Sequence, residues 1–123
     1  MYLSISSYTS SRKLSKAINR FYATFDSFQK KIQAMEIKNN PYKGIIVTFV
    51  DEDEKYFGEI IDKDRYYHVD LGIPLNLSML PNDDKKFFTY VYEKVDFVIE
   101  KSKLEQPDKK KIKDVLFAWK NSL

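Results

Sequence analysis

The two side chains best placed for acid–base chemistry are His68 and Asp70, two residues apart in a strand-like segment. Residues i and i+2 of a strand share a face, so the carboxylate could orient or charge the imidazole. The chain has no cysteine, His68 is its only histidine, and no serine nucleophile context accompanies it. We therefore predict a surface or interface histidine and no enzyme, with a small enzyme using His68 as the third hypothesis.

A second cluster is the acidic run Asp51-Glu52-Asp53-Glu54. Its carboxylates are hard oxygen ligands, but the run lacks the glycine and the terminal glutamate of a calcium loop. The three glycines lie about 14 residues apart, so no glycine-rich phosphate loop exists. We predict no metal and no cofactor, and interpret the run as either a solvated turn or a negatively charged contact.

Lysines dominate the C-terminal segment, where residues 109, 110, 111 and 113 join Lys101 and Lys103. Such a group could contact phosphates, but arginine, which makes bidentate contacts to phosphates and bases, is scarce. The only arginines are Arg12, Arg20 and Arg65. A nucleic-acid-associated module using this Lys-rich helix is therefore the alternative hypothesis, beside a simple solvated face.

The charge is distributed unevenly along the chain. The 123 residues carry a net charge of +3, but residues 1–44 carry +6, 45–70 carry −5, 71–100 carry −2 and 101–123 carry +4. The N-terminus lacks the basic start and apolar run of a targeting signal, and no apolar stretch is long enough for a membrane span. We predict a single domain, 1–123, located in the cytoplasm.

Hydrophobic periodicity defines the elements. Residues 2–8 alternate as a half-buried strand does, and Leu14 to Met35 repeat at spacings of 4 and 3 with phenylalanines in mid-stripe. That stripe favours a core helix on a sheet over a coiled coil, the other interpretation. Three short strands, Ile45–Val50, Tyr56–Asp62 and Tyr66–Ile73, follow with short connections, which predict an antiparallel meander.

Two further amphipathic segments complete the chain, one from Asp83 to about Lys103 and one beginning at Pro107. The predicted fold class is α+β: a four-stranded, mostly antiparallel sheet in the order β-α-β-β-β-α-α, with three helices packed on one face. The other face should be solvated. It would carry the alternating partners of the apolar positions, which are Tyr2, Ser4, Ser6, Tyr8, Tyr66, His68 and Asp70. The phase of the middle strands stays open.

Three segments resemble the small immunity proteins of bacterial polymorphic toxin and contact-dependent growth inhibition systems. They are LSISSYTSSRKLSKAINRFYATFDSF, YYHVDLGIPLNL and FFTYVYEKVDFVIEK. The resemblance lies in layout: a short Ser/Tyr strand, a long Phe-rich helix, strands ending in D-x-G-x-P, then paired helices. It implies a non-catalytic protein that binds a cognate toxin domain, for example a nuclease, and occludes its active site.

This family offers no fixed binding residues, so the partner-binding site is predicted from the charge map. Acidic inhibitor surfaces suit basic substrate clefts and steer encounter over about 10 Å. The predicted interface residues are Asp51, Glu52, Asp53, Glu54, Glu59, Tyr66, His68 and Asp70. The partner is then a toxin domain, with neither a membrane nor nucleic acid involved, and the oligomeric state is left open.

Overall fold

A computed structural model describes residues 1–9, 12–37, 42–51, 60–73 and 84–123. The elements follow the predicted order β-α-β-β-β-α-α and confirm the α+β class with three helices. Their bounds are β1 Tyr2–Tyr8, α1 Arg12–Gln33, β2 Gly44–Asp51, β3 Ile60–Lys63, β4 Tyr66–Ile73, α2 Asp84–Lys101 and α3 Gln106–Asn121. None of the helices in these ranges has the length and apolar character needed to cross a membrane.

The stripe on α1 is buried inside this chain, which confirms the core-helix interpretation. Leu14, Ile18, Phe21, Phe25 and Ile32 are all at most 3% exposed. The Phe21 and Phe25 rings stack with centroids 5.4 Å apart, and Trp119 of α3 meets both of them edge-on at 5.3 and 5.4 Å. Edge-to-face contacts of this kind stabilise a core beyond the area they bury. The stripe therefore joins α1 to α3.

The prediction of a mostly antiparallel sheet is wrong. The strand order is β1-β2-β4-β3; β1 pairs with β2 and β2 pairs with β4 in parallel, and only β3 pairs antiparallel, with β4. A helix between two strands carries the chain back to the end where the first strand began, so α1 makes β1 and β2 parallel. At the other side of β2, β4 is the neighbouring strand and β3 takes the edge position.

The antiparallel part of the prediction holds at the β3–β4 hairpin. Lys63 pairs with Tyr66, which leaves Asp64 and Arg65 as a two-residue loop. Their φ angles are 54° and 67°, the left-handed values that a type I′ turn requires at both central positions. The predicted strand Tyr56–Asp62 is placed only in part, because residues 56–59 lie outside the described residues.

One hydrophobic core lies between the sheet and the helices. Its sheet side is formed by the odd-numbered residues of β1, β2 and β4, including Leu3, Ile45, Val47 and Val69. All three helices contribute side chains to the same cluster. Pro107 stands in the first turn of α3, where its missing N–H costs nothing.

Candidate functional site

The face of the sheet opposite the helices forms a regular grid, because parallel pairing sets β1, β2 and β4 in register. We call the described residues of this grid the outer face. Each row takes one residue from each strand: Tyr2–Gly44–Tyr66, Ser4–Ile46–His68, Ser6–Thr48–Asp70 and Tyr8–Val50–Gly72. Alternation along each strand directs all these side chains away from the core. The outer face thus has two ends rich in tyrosine and a polar middle.

Aromatic rings cluster at one end of the outer face. Tyr2 and Tyr66 meet edge to face with centroids 6.4 Å apart, although a whole strand separates them. They meet across Gly44, where an added Cβ would lie 2.5 Å from the Tyr2 carbonyl oxygen. His68 extends the cluster, its ring 6.2 Å from that of Tyr66. The three rings hold one another in place on a rigid sheet while Tyr2 stays 45% exposed.

The middle of the outer face is polar and carries little charge. The hydroxyl oxygens of Ser6 and Thr48 lie 3.1 Å apart and share a hydrogen bond. Asp70 is next in the same row and supplies the single carboxylate of the twelve grid residues. Tyr8, at the far end, is 69% exposed, the largest exposure among the bulky apolar and aromatic side chains described. The polar groups of the outer face are therefore hydroxyls, the His68 ring and one acid, beside the apolar side chains of Ile46 and Val50.

Asp51, the first of the predicted interface residues, is buried. Asp51 ends β2 with the same parity as the core residues and is only 8% exposed. Its Oδ1 accepts a hydrogen bond of 2.8 Å from the Thr9 hydroxyl, so this carboxyl ties the end of β2 to the end of β1. Glu52, Asp53, Glu54 and Glu59 lie outside the described residues.

Tyr66, His68 and Asp70 fall where the alternation predicted, half-buried on the outer face. The contact described for His68 is with the Tyr66 ring, and no described hydrogen bond joins His68 to Asp70, the pair that their spacing allowed. Among the described residues, no group of three or more His, Cys, Asp or Glu side chains could hold a metal ion.

Sequence reasoning left Tyr2 and Tyr8 out of the predicted interface, although it placed both on this face. The signal that would have included Tyr2 was the strand–helix–strand order of residues 2–51, which predicts parallel neighbours. Parallel pairing sets Tyr2, Gly44 and Tyr66 in one row, and the glycine between two tyrosines marks the ring contact.

The Lys-rich C-terminal helix is largely engaged with α2. The buried Lys109 donates a hydrogen bond of 2.8 Å from Nζ to the Glu100 carbonyl, and Lys120 lies 5.0 Å from the Tyr92 ring centroid. Lys113 donates to the Glu100 carboxylate and lies 3.8 Å from Asp96. That hydrogen bond is the main cause of the raised pKa of Lys113 and the lowered pKa of Glu100. These lysines therefore bind two helices together.

Comparison with known proteins adds no relative: no protein-family model, curated protein or solved structure matches the chain.

Proposed function

We propose that this chain is a protein-binding module whose outer face contacts its partner, and that it acts as an immunity protein neutralising a cognate toxin domain. The toxin-directed role rests on the resemblance of three segments in layout. The binding role rests on the chemistry of the outer face. One observation carries it: three aromatic rings of Tyr2, Tyr66 and His68 are held together on an otherwise weakly charged surface.

Tyrosine is suited to this task because it offers a large amphipathic contact area at little cost in side-chain entropy. Affinity in protein interfaces is concentrated in a few such anchors near the centre, surrounded by contacts that exclude water. The ring cluster also orders Tyr2 and Tyr66 before binding, which lowers the entropic cost of association. The hydroxyls of Ser4, Ser6 and Thr48 supply adaptable hydrogen bonds beside the rings.

The burial of Asp51 changes where the contact is centred. With that carboxyl tied to Thr9, the described outer face contributes only Asp70 to electrostatic steering. We therefore centre the proposed interface on Tyr2, Tyr66, His68 and Asp70, and treat Glu52, Asp53, Glu54 and Glu59 as a separate, electrostatic part of the proposal. Rim charges act mainly on the association rate, whereas buried aromatic anchors act on the dissociation rate.

The test uses as its probe the protein domain encoded directly upstream of this chain's gene, where the proposal places the toxin. The two proteins are mixed, and the dissociation constant is measured by calorimetry for the native chain and for Tyr66→Ala. Loss of a central anchor of about 2 kcal/mol weakens binding about 30-fold. The matched control is Phe97→Ala on α2, which removes an exposed ring on the helical side and should change affinity less than about twofold.

Two results would overturn the proposal. The first is a folded Tyr66→Ala variant that binds as tightly as the native chain. The second is the absence of any binding to, and any protection from, the upstream-encoded domain. The acidic residues are tested separately by Glu52→Lys, Asp53→Lys and Glu54→Lys together, which should reduce the association rate and its dependence on salt.

We do not propose nucleic-acid binding as a second function, because Lys109, Lys113 and Lys120 are engaged by α2. This leaves Lys110 and Lys111 as the exposed lysines of that helix, a weak footprint for phosphate contacts.

A further inference from the structure

Strand β1 lies at one edge of the sheet, with β2 on its only paired side among the described strands. The Tyr2 N–H donates to the Lys43 carbonyl, so the backbone groups of Tyr2, and of every second residue after it, point toward β2. The N–H and C=O groups of Leu3, Ile5 and Ser7 therefore point away from the sheet. They form a row of donors and acceptors along the edge.

The two edges of the sheet differ in how they are protected. Natural edge strands are kept from pairing with other chains by short length, charge, proline or a covering element. At the other edge β3 has four residues, including Asp62 and Lys63. Strand β1 has seven residues, YLSISSY, with no charge, proline or glycine. Two side chains of α1 contact this strand: Gln29 donates a hydrogen bond of 2.7 Å to the Leu3 carbonyl, and the Tyr22 side chain hydrogen-bonds the Ser7 side chain.

Within the described ranges, these two contacts leave most of the backbone groups along the edge available for pairing. The backbone groups of Ile5 and Ser7 that point outward have no hydrogen-bond partner within the described part of the chain. The Leu3 carbonyl has a second lone pair, so it can accept from a further donor while Gln29 stays bound. Tyr2 and Tyr8, at the two ends of this strand, are 45% and 69% exposed.

We infer that β1 pairs antiparallel with β1 of a second copy of this chain, about a two-fold axis at Ile5. The observation that selects a second copy is that the strand reads nearly the same in both directions. Antiparallel pairing about Ile5 sets Tyr2 opposite Tyr8, Leu3 opposite Ser7, and Ser4 opposite Ser6 of the other copy. A two-fold interface requires this self-complementarity.

The same register satisfies the backbone groups of the edge. Ile5 lies opposite Ile5 of the second copy, and the two residues exchange both of their outward hydrogen bonds. Leu3 and Ser7 exchange theirs at either side, because all three residues direct their N–H and C=O outward. On the outer face, each exposed tyrosine then packs against a tyrosine of the other copy, and such cross-strand aromatic pairs stabilise a sheet. Two four-stranded sheets become one continuous sheet.

The test measures self-association and needs no partner protein. Sedimentation of the native chain over a wide concentration range should show a reversible monomer–dimer equilibrium. The variant Ser4→Lys/Ser6→Lys places like charges opposite each other twice in the dimer, and should raise the dimer dissociation constant at least about tenfold. The matched variant Ser4→Lys/Ser6→Glu places opposite charges at the same positions, and should stay within a few-fold of the native value.

The two variants change the same residues and lose the same Ser6–Thr48 hydrogen bond, so the effect of that loss on folding is shared. Circular dichroism and thermal unfolding check that they fold equally well. A native chain that stays monomeric at every concentration overturns the inference, as does an equal dissociation constant for the two variants. The proposed toxin-binding role stands or falls separately, since it is measured by affinity for the upstream-encoded domain.

Discussion

The two faces of the sheet are formed by the same three strands, and residues adjacent in sequence lie on opposite faces and have different roles. On the inner face, Ile45 and Val47 are completely buried beneath the helices. On the outer face, Ile46 and Thr48 alternate with them and stay half-buried, beside Ser6 and the ring cluster. The inner face supplies hydrophobic stabilisation, whereas the outer face presents rings and hydroxyls whose contacts can be completed by another protein.

In most cases, the kind of aromatic residue also differs between the two faces. The phenylalanines of α1 fill the core, where they have no polar group to satisfy, and Trp119 packs edge-on against two of them. Tyr2, Tyr8 and Tyr66 lie on the outer face, where a hydroxyl can contact water or a partner. The exceptions include Tyr67, whose hydroxyl donates to the Lys101 carbonyl, and Tyr42, whose ring contacts Tyr67. A tyrosine on the inner face therefore joins β4 to the end of α2.

The strongest test of this division substitutes adjacent isoleucines on opposite faces. Ile45→Ala removes a fully buried side chain and should lower the free energy of unfolding by about 2–5 kcal/mol, since a cavity remains beneath the helices. Ile46→Ala makes the same chemical change on the outer face, and should cost about 1 kcal/mol or less because its side chain is only half-buried. Urea denaturation measures both values. Equal losses would contradict the division between the faces.

Gly44 is the point at which the outer face is most constrained. An added Cβ would lie 2.5 Å from the Tyr2 carbonyl oxygen and 2.8 Å from the Tyr2 Cβ, so β1 would have to move. We expect Gly44→Ala to lower the free energy of unfolding by about 1–3 kcal/mol, as overpacking does. It should also disturb the Tyr2–Tyr66 contact, which near-ultraviolet circular dichroism reports. Unchanged stability and an unchanged spectrum would show that β1 adjusts without cost.

Local pattern was enough to predict the elements and the faces, but not the order of the strands. The alternation in residues 2–8 and 66–73 placed each side chain correctly, because a strand has two faces and only one could be apolar. Strand order depends on which strands approach each other in space. The assumption that consecutive strands pair failed at β2, whose neighbours are β1 and β4. The long α1 was the available signal for parallel pairing.

The runs of charged residues predicted the exposed surface less well than the alternation of polar and apolar residues along the strands did. A run of four acids suggested an exposed tip, yet its first member, Asp51, completes β2 and turns toward Thr9. The lysines of α3 likewise suggested a surface that could contact phosphates, but helix spacing places Lys109 and Lys113 against α2. A charged side chain identifies a surface only when its position on the element is known. The alternation along β4 predicted that Tyr66, His68 and Asp70 lie on the outer face, and the structure places them there.

The link between Thr9 and Asp51 fastens the ends of β1 and β2 from the inner side. Thr9→Val keeps the shape of the side chain but removes the donor to the buried carboxyl, and should lower the free energy of unfolding by about 0.5–1.5 kcal/mol. Thr9→Ser keeps the hydroxyl and serves as the control, with a smaller loss. Thermal unfolding measures both. If Thr9→Val is as stable as Thr9→Ser, the hydrogen bond contributes nothing measurable.

The smallest effect we expect comes from the β3–β4 turn, which belongs to neither face. Asp64 and Arg65 adopt positive φ angles, and arginine is poorly suited to that conformation. Asp64→Asn with Arg65→Gly provides the preferred type I′ pair and should raise the free energy of unfolding by about 0.5–1 kcal/mol. In this variant the carbonyl of residue 65 still accepts from the Lys43 N–H, so the hydrogen bond that anchors the turn beside β2 is kept.

Affinity for the upstream-encoded domain should not change, because Tyr66 and the outer face are untouched. A tighter or weaker complex from this variant would show that hairpin stability and recognition are coupled, which would weaken the division of roles between the two faces.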